Sequence, residues 1–151
     1  MNKSILLIGC NGQVGTQLQK ALRPCSNLIA VARPEVELTQ PETIKNLIEQ
    51  WEPQIIINAA AYTAVDKAES EPEKLQASMN HISTDYVYDG KTNHPYQEND
   101  STNPLSVYGE TKLAAEQAIH STCNDYIILR TAWVYGSGCK SNFVKTMLRL
   151  G

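Results

Sequence analysis

Tyr108 and Lys112 form a Y-x-x-x-K pattern at the start of a stretch whose composition favours a helix. Side chains four positions apart in a helix lie on the same face, so the phenol and the ammonium are expected to be neighbours. A free tyrosine titrates near pH ~10, and a nearby positive charge favours its phenolate. The pair is therefore suited to exchange a proton with a carbonyl or alcohol oxygen. On its own, the pattern is common in helices and usually has a structural explanation.

A second group of polar side chains, Ser83-Thr84-Asp85-Tyr86, lies at the end of a predicted strand. Ligands of open parallel sheets bind beyond the carboxyl ends of the strands. A hydroxyl of Ser83 or Thr84 is therefore expected to help hold the oxygen atom on which Tyr108 acts.

Gly9, Gly12 and Gly15 form a G-x-x-G-x-x-G motif between a predicted strand and a predicted helix. Glycines in such a turn let the backbone approach a pyrophosphate and let the helix pack closely on the strand. The helix then presents free N–H groups and the positive end of its dipole to the anion. The motif predicts a dinucleotide site, in which Lys112 is also placed to hold the nicotinamide ribose.

Arg33 follows the second predicted strand, where an acidic residue usually binds the ribose hydroxyls of NAD. A guanidinium at this position can pair with a 2′-phosphate, which favours NADP(H). Glu35 and Glu37 follow closely, and either carboxylate is able to restore binding of NAD(H). The sequence thus favours NADP(H) and leaves NAD(H) open.

Strands and helices must alternate along the chain to position these residues. Short apolar runs predict buried strands, and apolar residues at helical spacing predict helices between them. This alternation predicts an α/β fold, a Rossmann-type doubly wound parallel sheet flanked by helices. The predicted strands are residues 5–8, 28–32, 54–58, 82–88 and 126–130, the predicted helices are residues 12–22, 41–51, 107–122 and 141–150, and residues 89–103 are predicted to form a loop.

The composition excludes several classes of protein. The chain has 151 residues, 42% of them hydrophobic, which suits one globular domain. A formal charge of −3 gives no basic surface for nucleic acid, and no apolar run is long enough to span a membrane. We therefore expect a soluble cytoplasmic protein without nucleic-acid or membrane partners. Free thiols and no metal site are expected from the spacing of the cysteines and histidines, Cys10, Cys25, Cys123, Cys139, His81, His94 and His120.

Taken together, the motifs resemble those of the extended short-chain dehydrogenase/reductases, and within them the dTDP-4-dehydrorhamnose reductase family. The matching stretches run through nearly the whole chain, and the most specific is residues 58–69, NAAAYTAVDKAE. The others are residues 9–15, Ser83-Thr84-Asp85-Tyr86-Val87-Tyr88, residues 107–113, residues 130–136 and Asn142-Phe143.

The resemblance implies reduction of the 4-keto group of dTDP-4-dehydro-6-deoxy-L-mannose to dTDP-L-rhamnose with NADP(H), or with NAD(H). It implies Thr84, Tyr108 and Lys112 as catalytic residues, with Tyr108 protonating the 4-keto oxygen as hydride arrives. With the motif residues above, the expected cofactor-binding residues are Gly9, Gly12, Gln13, Val14, Gly15, Arg33, Ala59, Ala60, Tyr62, Tyr108 and Lys112. The expected substrate-binding residues are Thr63, Val65, Thr84, Asp85, Tyr108 and Trp133.

The chain departs from the family pattern in three places. Thr16-Gln17 replaces a helix start in which the family has a glutamate linked to metal, so no metal site is implied. The family's second, smaller substrate domain is expected to be absent, because the chain ends at Gly151. The family also has a helix and most of a strand where only residues 74–82 stand here, so we expect missing residues between Asn80 and His81.

Two other functions stay open at this point. Similar chains include a non-catalytic regulatory subunit of methionine adenosyltransferase, which keeps the fold and serves a partner enzyme. Nucleotide-sugar epimerases and dehydratases of the extended family share the Y-x-x-x-K pattern. Dehydratases usually have acidic residues directly after the strand-end threonine, and only Asp85 is acidic here. A homodimer is compatible with all three functions.

Overall fold

The structure is a computed structural model that describes residues 3–38, 40–60, 78–136 and 143–150. Its elements alternate along the chain as the sequence predicts. They are β1 (Ser4–Ile8), α1 (Gln13–Leu22), β2 (Asn27–Val31), α2 (Pro41–Trp51), β3 (Ile55–Asn58), β4 (Ser78–Thr84), a 3₁₀ turn (Asp85–Val87), α3 (Val107–Thr122), β5 (Tyr126–Thr131) and α4 (Phe143–Leu150). None of the helices in these ranges is long and apolar enough to cross a membrane.

The five strands form one parallel sheet in the order β2-β1-β3-β4-β5. The chain starts in the middle of the sheet, adds β2 on one side and then adds β3, β4 and β5 on the other. The strand order therefore reverses between β1 and β3, and at such a point the loops separate and leave a crevice at the carboxyl ends of the strands. The prediction of a doubly wound parallel sheet is confirmed.

The core has one apolar layer on each face of the sheet. On one face, Leu6, Ile8 and Ile56 pack against the apolar side of α2, Ile44, Leu47 and Ile48. On the other face, Leu7 and Cys10 pack against Leu18 of α1. Because β1 is covered on both faces, its side chains are apolar at successive positions rather than at alternate ones. This pattern is what the run at residues 5–8 indicated.

Strand β4 differs from the prediction at both ends. It begins at Ser78 rather than at residue 82, because Ser78, Met79 and Asn80 pair in parallel with Ile55, Ile56 and Ile57. It ends at Thr84, where the chain enters the 3₁₀ turn, rather than at residue 88. The predicted strand over residues 82–88 is therefore wrong at both ends.

Helix α3 begins where its capping residue predicts. The hydroxyl of Ser106 accepts a hydrogen bond from the Gly109 amide at 3.1 Å, which satisfies one of the free N–H groups at the helix start. This cap fixes the first turn of α3, which contains Tyr108. Both ends of the predicted helix, Val107 and Thr122, are confirmed.

Candidate active site

The glycine motif forms a tight turn between β1 and α1. Gly9 has a φ of 83°, and a Cβ atom there would lie 2.5 Å from the Ala60 nitrogen. The Gly12 amide donates to the Gly9 carbonyl oxygen at 3.0 Å and closes the turn. Helix α1 begins directly afterwards at Gln13, with no side-chain cap on its first N–H groups. These amides are therefore available to an anion such as a pyrophosphate.

Gly15 lies where α1 packs on the turn. A Cβ atom at this position would overlap the Gly9 carbonyl oxygen and lie 2.8 Å from the Cys10 Cα. Gly15 is buried beneath the turn and does not line the cleft. The absence of a side chain at Gly15 therefore allows α1 to pack closely on the turn.

A cleft of about 620 Å³ lies above the reversal of strand order. Most of the residues expected to bind cofactor or substrate line it: Gly9, Gly12, Gln13, Val14, Arg33, Ala59, Ala60, Thr84, Asp85, Tyr108, Lys112 and Trp133. Tyr62, Thr63 and Val65 lie outside the described residues. The structure thus brings the glycine turn and the Tyr/Lys pair, which are far apart in sequence, to the same cleft.

Tyr108 and Lys112 lie one turn apart on α3 and differ sharply in exposure. Tyr108 is 38% exposed, whereas Lys112 is 3% exposed. The ring of Tyr108 meets the ring of Tyr86 edge-to-face, with centroids 6.0 Å apart. The phenol is therefore at the mouth of the cleft, and the ammonium is at its floor.

The Lys112 ammonium is held by two acceptors on β4. Its Nζ atom donates to the Ile82 carbonyl oxygen at 2.6 Å and lies 3.2 Å from Nε2 of His81. Burial lowers the pKa of Lys112, while the nearby Glu116 carboxylate acts to raise it. Burial and the Lys112 charge lower the pKa of His81 to about 4.

Thr84 ends β4 within a local hydrogen-bond network. Its hydroxyl donates to Oδ1 of Asp85 at 3.1 Å and accepts from the Tyr86 amide at 3.3 Å. Thr84 is buried, whereas Asp85 is exposed. The hydroxyl must turn away from Asp85 before it can donate to a ligand oxygen.

Arg33 and Glu37 both line the cleft near the end of β2, whereas Glu35 does not. The carboxylate of Glu35 instead accepts a weak hydrogen bond from the Ala32 amide at 3.4 Å. Of the two carboxylates considered as ribose partners, only Glu37 therefore faces the cleft.

Sequence reasoning missed a buried polar network behind Lys112. The Ser83 hydroxyl donates to Glu116, and Arg130 binds the same carboxylate with Nη2 at 2.6 Å and Nε at 3.1 Å. Arg130 Nη1 also donates to the Tyr88 hydroxyl at 2.5 Å. The available signal was the position of Glu116, one helical turn after Lys112 and so on the same face of α3. Charged residues in a helix are normally exposed, so the sequence alone does not predict that Glu116 is buried.

The chain matches the protein-family model described as the RmlD substrate binding domain over residues 2–151. It is 45% identical to the dTDP-4-dehydrorhamnose reductase of Salmonella typhimurium, with 97% of this chain and 56% of that protein covered.

Among solved structures, the chain is similar to a dTDP-4-dehydrorhamnose reductase from Bacillus anthracis in complex with NADP. The TM-score is 0.88 at 35% identity, and 99% of this chain and 60% of that chain are covered. An ortholog from Clostridium acetobutylicum gives a TM-score of 0.84 at 38% identity, with 97% of this chain and 58% of that chain covered. The chain therefore spans less than two thirds of the length of these relatives.

Proposed function

Because the chain belongs to the family described as the RmlD substrate binding domain, we propose that it is the NADPH-binding part of a dTDP-4-dehydrorhamnose reductase. The observation that carries the proposal is the shared cleft, which has the glycine turn along one side and Thr84, Tyr108 and Lys112 along the other. The similar reductase from Bacillus anthracis was solved in complex with NADP, which supports the choice of cofactor.

The residues of the cleft fit a dinucleotide. At Gly9 a Cβ atom would collide with the backbone of Ala60, so only glycine lets the turn lie this close to the end of β3. The free amides at the start of α1 supply hydrogen bonds and the positive end of the helix dipole. When bound, the nicotinamide supplies the hydride that reduces the substrate.

In this proposal Tyr108 supplies the proton. Its phenol transfers a proton to the 4-keto oxygen as C4 accepts the hydride, so the carbonyl becomes an alcohol and the phenol becomes a phenolate. Lys112, one turn away, stabilises the phenolate by its positive charge and binds the ribose of the nicotinamide nucleotide. Thr84 releases Asp85 and donates its hydroxyl to the same substrate oxygen.

We further propose that Asp85 and Trp133 contact the sugar nucleotide. Both are exposed at the cleft, and Trp133 is held with a φ of 50°, a conformation that a bulky residue rarely adopts. Such backbone strain is often found where a side chain is needed for binding. Thr63 and Val65 are proposed to contact the sugar from the segment outside the described residues.

The preference for NADPH is assigned to Arg33. Arg33 lines the cleft near the end of β2, where a 2′-phosphate on the adenosine ribose would accept a bidentate hydrogen bond from its guanidinium. Glu37 lines the same region, and its carboxylate is the candidate partner of the ribose hydroxyls of NADH. The proposal includes a cytoplasmic location, because this reduction consumes NADPH.

The test has two steps. NADPH binding to the chain is measured by nucleotide fluorescence. Arg33→Ala is expected to lower the affinity for NADPH roughly tenfold and to keep the affinity for NADH within about twofold of wild type. Loss of NADPH absorbance is then followed in the full-length protein, which includes the substrate domain, after adding dTDP-4-dehydrorhamnose. If NADPH binds but is not oxidised at saturating substrate, the proposed reductase function is contradicted. That result together with recovery of methionine adenosyltransferase as a partner would favour a regulatory subunit.

A further inference from the structure

His81 is a buried polar residue that the proposed reaction does not use. It is 2% exposed and lies on β4, three residues before Thr84. Its Nε2 atom lies 3.2 Å from Nζ of Lys112, and the neighbouring residue, Ile82, supplies the second acceptor, its carbonyl oxygen. Two acceptors on the same strand, β4, therefore accept hydrogen bonds from the Lys112 ammonium.

The protonation state of His81 follows from the groups that face it. Lys112 and Glu116 of α3 are the charged groups that influence it. The positive charge of Lys112 disfavours a second positive charge on the His81 ring, whereas the Glu116 carboxylate favours it. Burial acts in the same direction as Lys112, and the pKa of His81 falls to about 4. The ring is therefore neutral at pH 7. A neutral ring that accepts from Lys112 at Nε2 must carry its hydrogen on Nδ1.

We propose that His81 is a positioning residue that holds the Lys112 ammonium on the floor of the cleft, oriented toward the cofactor. An ammonium group has three N–H donors and no acceptor. Two of the donors are directed to His81 and to Ile82, so one is left for the cleft that Lys112 lines. Given the proposed function, the acceptor of this third donor is a hydroxyl of the nicotinamide ribose.

The two ring nitrogens of His81 differ in their contacts. Within residues 3–38, 40–60, 78–136 and 143–150, Nδ1 is a buried atom that lacks a hydrogen-bond partner. The contact between Nε2 and Lys112 is therefore the side-chain hydrogen bond that His81 makes among these residues.

The first experiment examines the ring in the chain without cofactor. Two-bond ¹H–¹⁵N correlation spectra at pH 7 should show His81 as the neutral tautomer with hydrogen on Nδ1, and Lys112→Met should shift its Nε2 resonance. A charged ring, or hydrogen on Nε2, would overturn the proposal. This experiment is independent of the proposed function, because no nucleotide is present.

The second experiment measures NADPH affinity by fluorescence for three variants. His81→Leu removes the hydrogen-bond acceptor of Lys112 and should lower the affinity for NADPH about tenfold or more. His81→Gln places an amide oxygen near the position of Nε2 and should restore affinity to within about threefold of wild type. Met79→Ala, on the same face of β4 but packed in the core, should lower the melting temperature and leave affinity within about twofold.

The outcomes separate the two proposals. If folded His81→Leu binds NADPH as wild type does, His81 does not position Lys112 for the cofactor. If His81→Leu does not fold, affinity of His81→Gln no better than that of Lys112→Met contradicts the positioning role. If the wild-type chain does not bind NADPH, the proposed function fails, and the tautomer and the Lys112→Met shift alone decide whether His81 holds Lys112.

Discussion

At the scale of single residues, the half-exposed phenol of Tyr108 and the buried ammonium of Lys112 have different proposed roles, proton transfer and cofactor binding. Tyr108→Phe removes the hydroxyl and leaves the ring that contacts Tyr86. General acid catalysis contributes about 10²- to 10⁴-fold, so turnover of the full-length protein with dTDP-4-dehydrorhamnose should fall at least about 100-fold. Affinity for NADPH should change by less than about threefold, because Lys112 is intact.

The control for this variant is Tyr126→Phe, at the start of β5 beside His120. It loses a phenol of the same type away from the cleft and should keep its turnover. Equal losses of turnover and of NADPH affinity in Tyr108→Phe would contradict the role of Tyr108 as proton donor.

His81 also makes the stability of the fold depend on pH. Its pKa is about 4 in the folded chain, against an ordinary value of 6.5 for an exposed histidine, so the unfolded chain binds the proton more readily. The contribution of His81 to stability is therefore complete well above pH 6.5 and is lost progressively as the pH falls toward 4. Urea unfolding should show about 2 kcal/mol less stability at pH 5 than at pH 7.

The same measurement on two variants assigns the effect. His81→Gln carries no titrating ring and should lose most of the difference between pH 5 and pH 7. His120→Gln removes an exposed histidine at the end of α3 and should keep it. A pH dependence that survives unchanged in His81→Gln would show that another group causes it.

At the scale of elements, Gly109 sets the distance between the 3₁₀ turn and α3. A Cβ atom there would overlap the Tyr86 carbonyl oxygen and lie 2.9 Å from Cβ of Pro104. Gly109→Ala should therefore push the turn after Thr84 away from Tyr108. We expect a loss of about 1–3 kcal/mol in unfolding free energy and a fall in turnover of about tenfold or more.

Ala114→Gly is the matched variant on the same helix. Ala114 is exposed, and glycine in a helix costs about 1 kcal/mol without crowding a neighbour. Chemical denaturation should show comparable destabilisation in both variants, whereas turnover should fall only in Gly109→Ala. If both variants keep full turnover, the close approach at Gly109 does not position the site.

The elements that the sequence predicts well are those whose side chains face apolar neighbours. The run in β1 and the apolar side of α2 both indicate their structure, because burial against the sheet demands those residue types. The sequence does not predict the start of β4, because Asn80 and His81 are polar, and the partner of His81 Nε2 is Lys112 of α3, a distant segment. A buried polar pair depends on two distant segments, so local pattern alone does not reveal it.

At the scale of the whole molecule, the connection between β3 and β4 is where we expect this chain and its relatives to differ in length. Parallel neighbours need a crossover of a dozen or more residues, usually helical, and the 19 residues between Asn58 and Ser78 meet that minimum. The alignment with the Salmonella relative extends over 169 positions, whereas this chain has 151 residues, so that relative has residues in the aligned region that this chain lacks. We propose that they belong between Asn80 and His81.

Trypsin provides a direct test, because Lys74 and Lys91 flank that point. A continuous chain yields the peptide LQASMNHISTDYVYDGK, and a chain with further residues after Asn80 does not. In a digest of the protein isolated from its natural source, mass spectrometry should find the control peptide LAAEQAIHSTCNDYIILR and not the first one. Detection of the first peptide would show that Asn80 and His81 are bonded in the natural protein. In that case the 19 residues between Asn58 and Ser78 form the whole crossover, and β4 continues through Asn80 and His81 without an insertion.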